Sequence, residues 1–143
     1  MPRLTPAFDT CAVVAQNTSM QPAAAHDIQK TNRIFELEVA AKRNIDALDQ
    51  VYTQNARILP PGAEMISGRE NIKTFWRTAI ESMGVKAVKL QTVDFEPETG
   101  FEIGRATLEF APGTQPVDVK YIVLWKREDG EWKWHVDMWS PVG

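Results

Sequence analysis

The hydrophobic period of the chain changes at Gly84, and that change constrains the fold more than any other feature. Before Gly84, apolar side chains recur every three or four residues; after it, they alternate. The first period lays a stripe along one side of a helix, and the second sends successive side chains to opposite faces of a strand. Helices followed by a run of strands define an α+β architecture with a mainly antiparallel sheet, not a chain of βαβ units.

In the helical half, Asp27 is placed to cap a first helix. Ile34, Leu37, Ala41, Ile45 and Leu48 form its predicted stripe, widened by Phe35 and Val39. Asn44 can cap a second, short helix that ends near Tyr52, with Asp46 in the first turn where the helix dipole favours an anion. Residues 57–59 read as a short strand stopped by Pro60-Pro61-Gly62. Ser67-Gly68-Arg69-Glu70 has the spacing of a capping box. The helix behind it is predicted to bury Ile72, Phe75, Trp76, Ala79, Ile80 and Met83, and to stop at Gly84.

The second half reads as four strands, over 86–96, 101–110, 117–127 and 131–142, with Asp129-Gly130 as a hairpin turn. In the second of these, Phe101, Ile103, Arg105 and Thr107 share one face, and Gly104, Ala106, Leu108 and Phe110 the other. The last two strands are apolar on both faces and hold Trp125, Trp132, Trp134 and Trp139. A sheet with one wet face alternates cleanly, so both faces here need cover. Helices supply one cover. A partner subunit, a pocket or both must supply the other, because monomers seldom expose large apolar patches. A homodimer packed through the sheet is preferred over a strongly curved sheet that wraps its own core.

Residues 1–25 lack a sustained period and carry Pro2, Pro6 and Pro22. They read as a mobile tail ahead of a domain over 26–143, with Met20 as an alternative start. The apolar patch at 11–15 is shorter than the roughly 7–15 residues of a signal peptide core. No stretch approaches the roughly 20 apolar residues of a membrane span. Cys11 is the single cysteine, so no intrachain disulfide forms, and a cytoplasmic location is expected. A net charge of −3, spread without long runs, is not the basic footprint that a nucleic acid demands.

Three stretches resemble, together and in order, the ketosteroid-isomerase-like (SnoaL-like, nuclear transport factor 2-like) family. They are Ile45-Asp46-Ala47-Leu48-Asp49-Gln50-Val51-Tyr52 with Leu59-Pro60-Pro61-Gly62; Ser67-Gly68-Arg69-Glu70-Asn71-Ile72-Lys73-Thr74-Phe75-Trp76; and residues 121–127 with Gly130-Glu131-Trp132-Lys133-Trp134-His135-Val136-Asp137-Met138-Trp139. The resemblance spans about residues 27–142. It implies a cone-shaped roll, with N-terminal helices packed on a strongly curved, mainly antiparallel sheet that encloses a pocket, commonly as a dimer. Members include isomerases, cyclases, dehydratases and pure binding or assembly domains, so fold is not function. The steroid isomerase itself uses an Asp base, with a Tyr and a protonated Asp holding the oxyanion. The matching positions here carry Pro60, Glu36 and, nearby, Ile122. All three roles are vacant, and that mechanism is not expected.

The resemblance places Tyr52 and Trp76 among aromatic pocket residues and makes the His135, Asp137, Trp139 face of the last strand the pocket face. Trp134, Val136 and Met138 fall on the other face by period 2. Asp137 with His135 is then a candidate acid/base pair, since titratable groups in an apolar wall have perturbed protonation. Alternatively these two residues face solvent, or Asp137 pairs structurally with an arginine. Arg105 could bind a ligand carboxylate or pair with Asp137, or snorkel at the surface. Glu36 could be a pocket acid, although a solvated helix face suits it better. Tyr121 could donate to a ligand or pack within the sheet, depending on register. Tyr52, Phe75, Trp76 and Trp139 would form an apolar wall. With two histidines, His26 in the tail region, no metal site is expected, and no cofactor motif is present. The expected ligand is a small, mostly apolar organic molecule. Either the pocket performs cofactor-independent proton transfer (isomerisation, cyclisation or elimination), or the chain is a binding or assembly module without turnover.

Overall fold

The computed structural model describes residues 21–142. The first twenty residues of the predicted tail, with Met20 and Cys11, lie outside them. A curved six-stranded sheet ordered β2-β1-β6-β5-β4-β3 carries helices on one face. In chain order the elements are α1 (Gln21–Ile34), a π-helical stretch (Phe35–Ala41), a 3₁₀ turn (Ile45–Gln50), β1 (Tyr52–Leu59), β2 (Ile66–Ser67), α2 (Arg69–Glu81), β3 (Val85–Glu96), β4 (Phe101–Phe110), β5 (Val117–Glu128) and β6 (Glu131–Pro141). β1 and β6 run parallel, and the other neighbours are antiparallel. Among the described residues, no helix is long and apolar enough to cross a membrane.

The strand half follows the alternation closely, and β4 begins and ends where predicted. Asp129 (φ 56°) and Gly130 (φ 80°) both take positive φ, the geometry of a two-residue hairpin turn of type I′. The helical half departs from its prediction. α1 starts at Gln21, six residues ahead of Asp27, so residues 21–25 are helical. Its buried stripe is Ile28, Thr31, Asn32, Phe35 and Val39, while Leu37 is 55% exposed. The π-helical stretch explains the rotation: it adds a residue to the turn and turns Phe35 and Val39 to the centre of the core. Asn44 occupies the cap position of the 3₁₀ turn without a side-chain capping bond.

The capping box does not form. Ser67 is drawn into β2 opposite Arg57, and Gly68 (φ 91°) caps α2 with its amide on the Ala56 carbonyl. Met83 lies past the end of α2 and is 63% exposed. β1 begins at Tyr52, ahead of the predicted strand at 57–59, because Tyr52 pairs with Trp134 of β6, a partner remote in sequence.

Pairing between β5 and β6 slips by one residue. Leu124 faces Val136 and Trp125 faces Trp134, which leaves His135 as the extra residue of a β-bulge. The slip places Trp134 and Asp137 on the same, inner side, where they are 4% and 5% exposed.

Gly104 permits one close approach on that inner side. A Cβ there would stand 2.2 Å from Cζ of Tyr121 on the neighbouring strand. Gly104→Ala is therefore expected to displace the Tyr121 ring and lower stability by about 1–3 kcal/mol. Urea unfolding measures this, and an unchanged midpoint would show that the ring moves aside freely.

Candidate functional site

The site takes its geometry from lateral register. Glu102 of β4 lies opposite Val123 of β5, Val123 opposite Asp137 of β6, and Asp137 beside Ile58 of β1. Two carboxyl groups thus sit two strands apart, about 10 Å at the backbone, on the inner face of the sheet. Glu102 is wholly buried and satisfied by three donors: Thr92 Oγ1 (2.6 Å), the Tyr121 hydroxyl (2.7 Å) and Trp125 Nε1 (2.9 Å). Asp137 receives one: the Tyr52 hydroxyl donates to its Oδ2 at 2.7 Å, and Trp76 Nε1 donates to the Tyr52 oxygen at 3.2 Å.

Asp137 lines a cavity between the helices and the sheet whose wall is otherwise largely aromatic and aliphatic: Phe35, Trp76, Tyr121, Trp134 and Trp139, with Val88, Leu90 and Leu108 among the aliphatic side chains. About 40 Å³ of it is open, room for a few waters at roughly 10–15 Å³ each. Burial pushes the Asp137 carboxyl up to about 7; the Tyr52 hydrogen bond pulls it back, and the charge of Glu102 raises it. Tyr52 is held well above the ordinary phenol value by burial, then by the Asp137 charge. Tyr121 is raised by burial and by Glu102. Both hydroxyls therefore keep their protons at neutral pH.

A charged clamp anchors this arrangement. Arg69, at the start of α2, donates to the carbonyl of Tyr52 (3.1 Å) and pairs with Asp49 and Glu128. Lys133 of β6 donates to the Asp49 carbonyl (3.0 Å) and pairs with Glu128. The elements that carry Tyr52, Trp76 and Asp137 are thereby fastened together at one end.

The structure brings Asp137, Trp76, Tyr121 and Trp139 to the cavity, with Tyr52 directly behind Asp137. Phe75 backs the wall edge-on to Trp76 and Trp139 and does not reach the cavity surface. His135 does not join Asp137. The bulge turns it away to Thr53 Oγ1 (2.8 Å), and burial with the charges of Lys126 and Arg57 holds its pKa below the ordinary imidazole value. Arg105 is also corrected. It lies on the exposed outer face opposite Lys120, because the inner residues of β4 are Glu102, Gly104 and Ala106. No arginine clamps Asp137 among the described residues. Glu36 is 13% exposed and accepts from the Leu90 amide (2.6 Å) on the edge strand β3, so its role is structural. Glu102 escaped the sequence reading, and Trp134, expected on the face opposite Asp137, is turned by the bulge to line the same cavity. Glu102 continues the Gly104, Ala106, Leu108, Phe110 face two residues back, and that lone carboxyl on an apolar face was the available signal.

Helices on a curved, open sheet around an inner cavity define an α+β cone. The family model described as the SnoaL-like domain matches residues 32–135, and the chain belongs to that family. Solved structures share the fold. A nuclear transport factor 2-like protein of unknown function from Shewanella oneidensis has 19% identity and a TM-score of 0.69, covering 82% of this chain and 98% of its own. A candidate scytalone dehydratase from Novosphingobium aromaticivorans has 12% identity and a TM-score of 0.66, over 88% and 89%. A hexachlorocyclohexane dehydrochlorinase (LinA, type 2) has 17% identity and a TM-score of 0.63, over 86% and 88%. No curated protein matches the chain in sequence.

The raised Asp137 pKa has a thermodynamic consequence. With a folded value of about 7 against an ordinary 3.8, the native state holds more protons than the unfolded chain between these limits. Stability contributed by the neutral form is complete below the lower value and is lost as pH rises through the upper one. Asp137→Asn removes this dependence. Its stability relative to wild type should improve by on the order of 4 kcal/mol between about pH 4 and about pH 8, read from urea unfolding across that range. A constant difference would mean that Asp137 is ionised in the fold throughout.

Proposed function

We propose that the cavity binds a small, mostly apolar organic molecule and that Asp137 exchanges a proton with it, without a cofactor, as in an isomerisation, cyclisation or elimination. One observation carries the reading: a buried carboxyl faces an aromatic cavity, has no cation beside it among the described residues, and titrates at about 7. A group with that pKa both gives and takes protons at neutral pH, which general acid/base chemistry needs. Two structural neighbours are named for eliminations, of water and of hydrogen chloride, and their likeness supports the same reaction class here. The test is a panel of small cyclic ketones, alcohols and halides, scored for binding and turnover. On a substrate found this way, Asp137→Asn is expected to retain binding and lose about 10²–10⁴-fold in kcat. Full activity in that variant would end the proposal.

The second reading, a binding or assembly module without turnover, draws on the small open volume of about 40 Å³. Ligands that bind wild type and Asp137→Asn alike, with no turnover in either, would favour it.

A homodimer through the outer face of the sheet accompanies either reading. Ile103, Ile122 and Met138 align across β4, β5 and β6, at 38%, 43% and 51% exposure, with Leu124 beside them. A contiguous apolar row of this kind suits a second copy of the same surface. Ile122→Glu is expected to halve the mass measured by light scattering at micromolar concentration while leaving the circular dichroism spectrum unchanged. A wild-type protein that is monomeric under those conditions would exclude the interface.

A further inference from the structure

We infer that Trp76, acting through Tyr52, fixes the proton of neutral Asp137 on Oδ1, the oxygen available to the cavity, so that the site takes an uncharged ligand through an acceptor oxygen. The inference deepens the small-molecule reading of the cavity and rests on it.

An indole N–H can only donate, whereas a hydroxyl has a single hydrogen to give. Trp76 Nε1 donates to the Tyr52 oxygen, so the Tyr52 hydrogen is left for Asp137 Oδ2, at 2.7 Å. The chain of hydrogen bonds has one direction, and Oδ2 is an acceptor in both protonation states of the carboxyl. The carbonyl oxygen of a neutral carboxyl accepts better than its hydroxyl oxygen, so the bond from Tyr52 favours Oδ2 as the carbonyl and leaves the proton to Oδ1. That oxygen accepts no hydrogen bond among the described residues, and Asp137 is part of the cavity wall. Burial keeps the Tyr52 phenol protonated, so the direction does not reverse at neutral pH.

The wall's hydroxyl group is complementary. Tyr121 gives its hydrogen to Glu102 Oε2, and offers the cavity only lone pairs. The titratable groups facing Asp137 are Tyr52 from β1, Glu102 from β4 and Tyr121 from β5; the helical segments contribute Phe35 and Trp76, which do not titrate. Among the described residues no lysine, arginine or histidine lines the cavity, so an anionic ligand meets carboxyl charge and no counter-ion there. A ketone, aldehyde, ether or epoxide oxygen meets the Oδ1 hydrogen instead. Trp76 and Tyr52 are positioning residues: they decide which oxygen of Asp137 holds the proton.

Two measurements on the full chain test this. The first needs no ligand. Carbon-13 detection of the Asp137 carboxyl should give a titration midpoint near 7, and the Trp76 indole N–H signal should move with that midpoint. In Tyr52→Phe the indole signal should stop following, and the Asp137 midpoint should rise because a bond favouring the carboxylate is gone. Trp76→Phe, which leaves Tyr52 in place, should also raise the midpoint. An indole signal indifferent to Asp137 in wild type overturns the relay. The second uses cyclohexanone, cyclohexylammonium and cyclohexanecarboxylate as probes of one shape. Cyclohexanone should bind, and weaken about thirtyfold between about pH 5.5 and about pH 8.5 as the neutral acid disappears. Ammonium binding that strengthens over that range overturns the ligand class. If none of the probes binds at either pH, the ligand class and the small-molecule reading beneath it both fail, while the indole titration still decides where the proton sits.

Discussion

The site depends on a carboxyl group that has been taken out of water without a cation to pair with. Ionised, Asp137 would bear a desolvation penalty of several kcal/mol; neutral, it must still find hydrogen-bond partners. The fold meets this with a donor chain of two aromatic side chains, Trp76 and Tyr52, drawn from α2 and β1. That chain works only if helix and strand keep their separation. The Arg69 and Lys133 clamp does so from the rim, where charge is cheaper to hold: Arg69 is 19% exposed, and its partners Glu128 and Asp49 are 27% and 47% exposed. A surface ion pair contributes little alone, but a shared network around two carbonyls of the 3₁₀ turn and β1 restrains geometry where strength is secondary.

The two inner carboxyls are instructive as a contrast. They share a face, a sheet row and burial, yet Glu102 has three donors and Asp137 has one. A fully satisfied acceptor is a structural element that fixes Thr92, Tyr121 and Trp125. An under-satisfied one in the wall of a cavity keeps acceptor capacity for whatever occupies that cavity. Gly104 belongs to the same design, because only the missing Cβ lets the Tyr121 ring cross to Glu102.

What could be read from the chain divides along the range of the interactions involved. The period switch, the ends of β4 and the Asp129-Gly130 turn are local, and they stood in the sequence plainly. The features that went astray are decided by partners far away in sequence. β1 starts early because β6 pairs with Tyr52; Ser67 leaves its cap for a strand; Arg69, read as the interior of a capping box, is a clamp. Asp137 lies in an apolar wall, the placement that singled it out. His135 was coupled to it by a strict period of 2, and the bulge that separates them leaves no mark in residue type, since Trp134 and Val136 suit either face. Arg105 differs: the strand and its two faces were drawn correctly, and the face that carries Arg105 is the outer one, where the surface alternative had placed it.

The vacancies left by the steroid isomerase pattern take on structural meaning in this light. Pro60 is buried at the end of β1, Glu36 ties the π-helical stretch to the edge of β3, and Ile122 faces outward at 43% exposure. None of these positions is part of the cavity wall. The polar chemistry has instead gathered on β6 and β1, at the seam where the last strand lies parallel to the first. A parallel seam of this kind joins the two ends of the domain, so a proton-carrying group placed there is supported from both. The one-residue slip in β6 turns Trp134 and Asp137 inward together. Removing the extra residue would send one of them outward, so the acid and the indole beside it reach the cavity wall through the same irregularity.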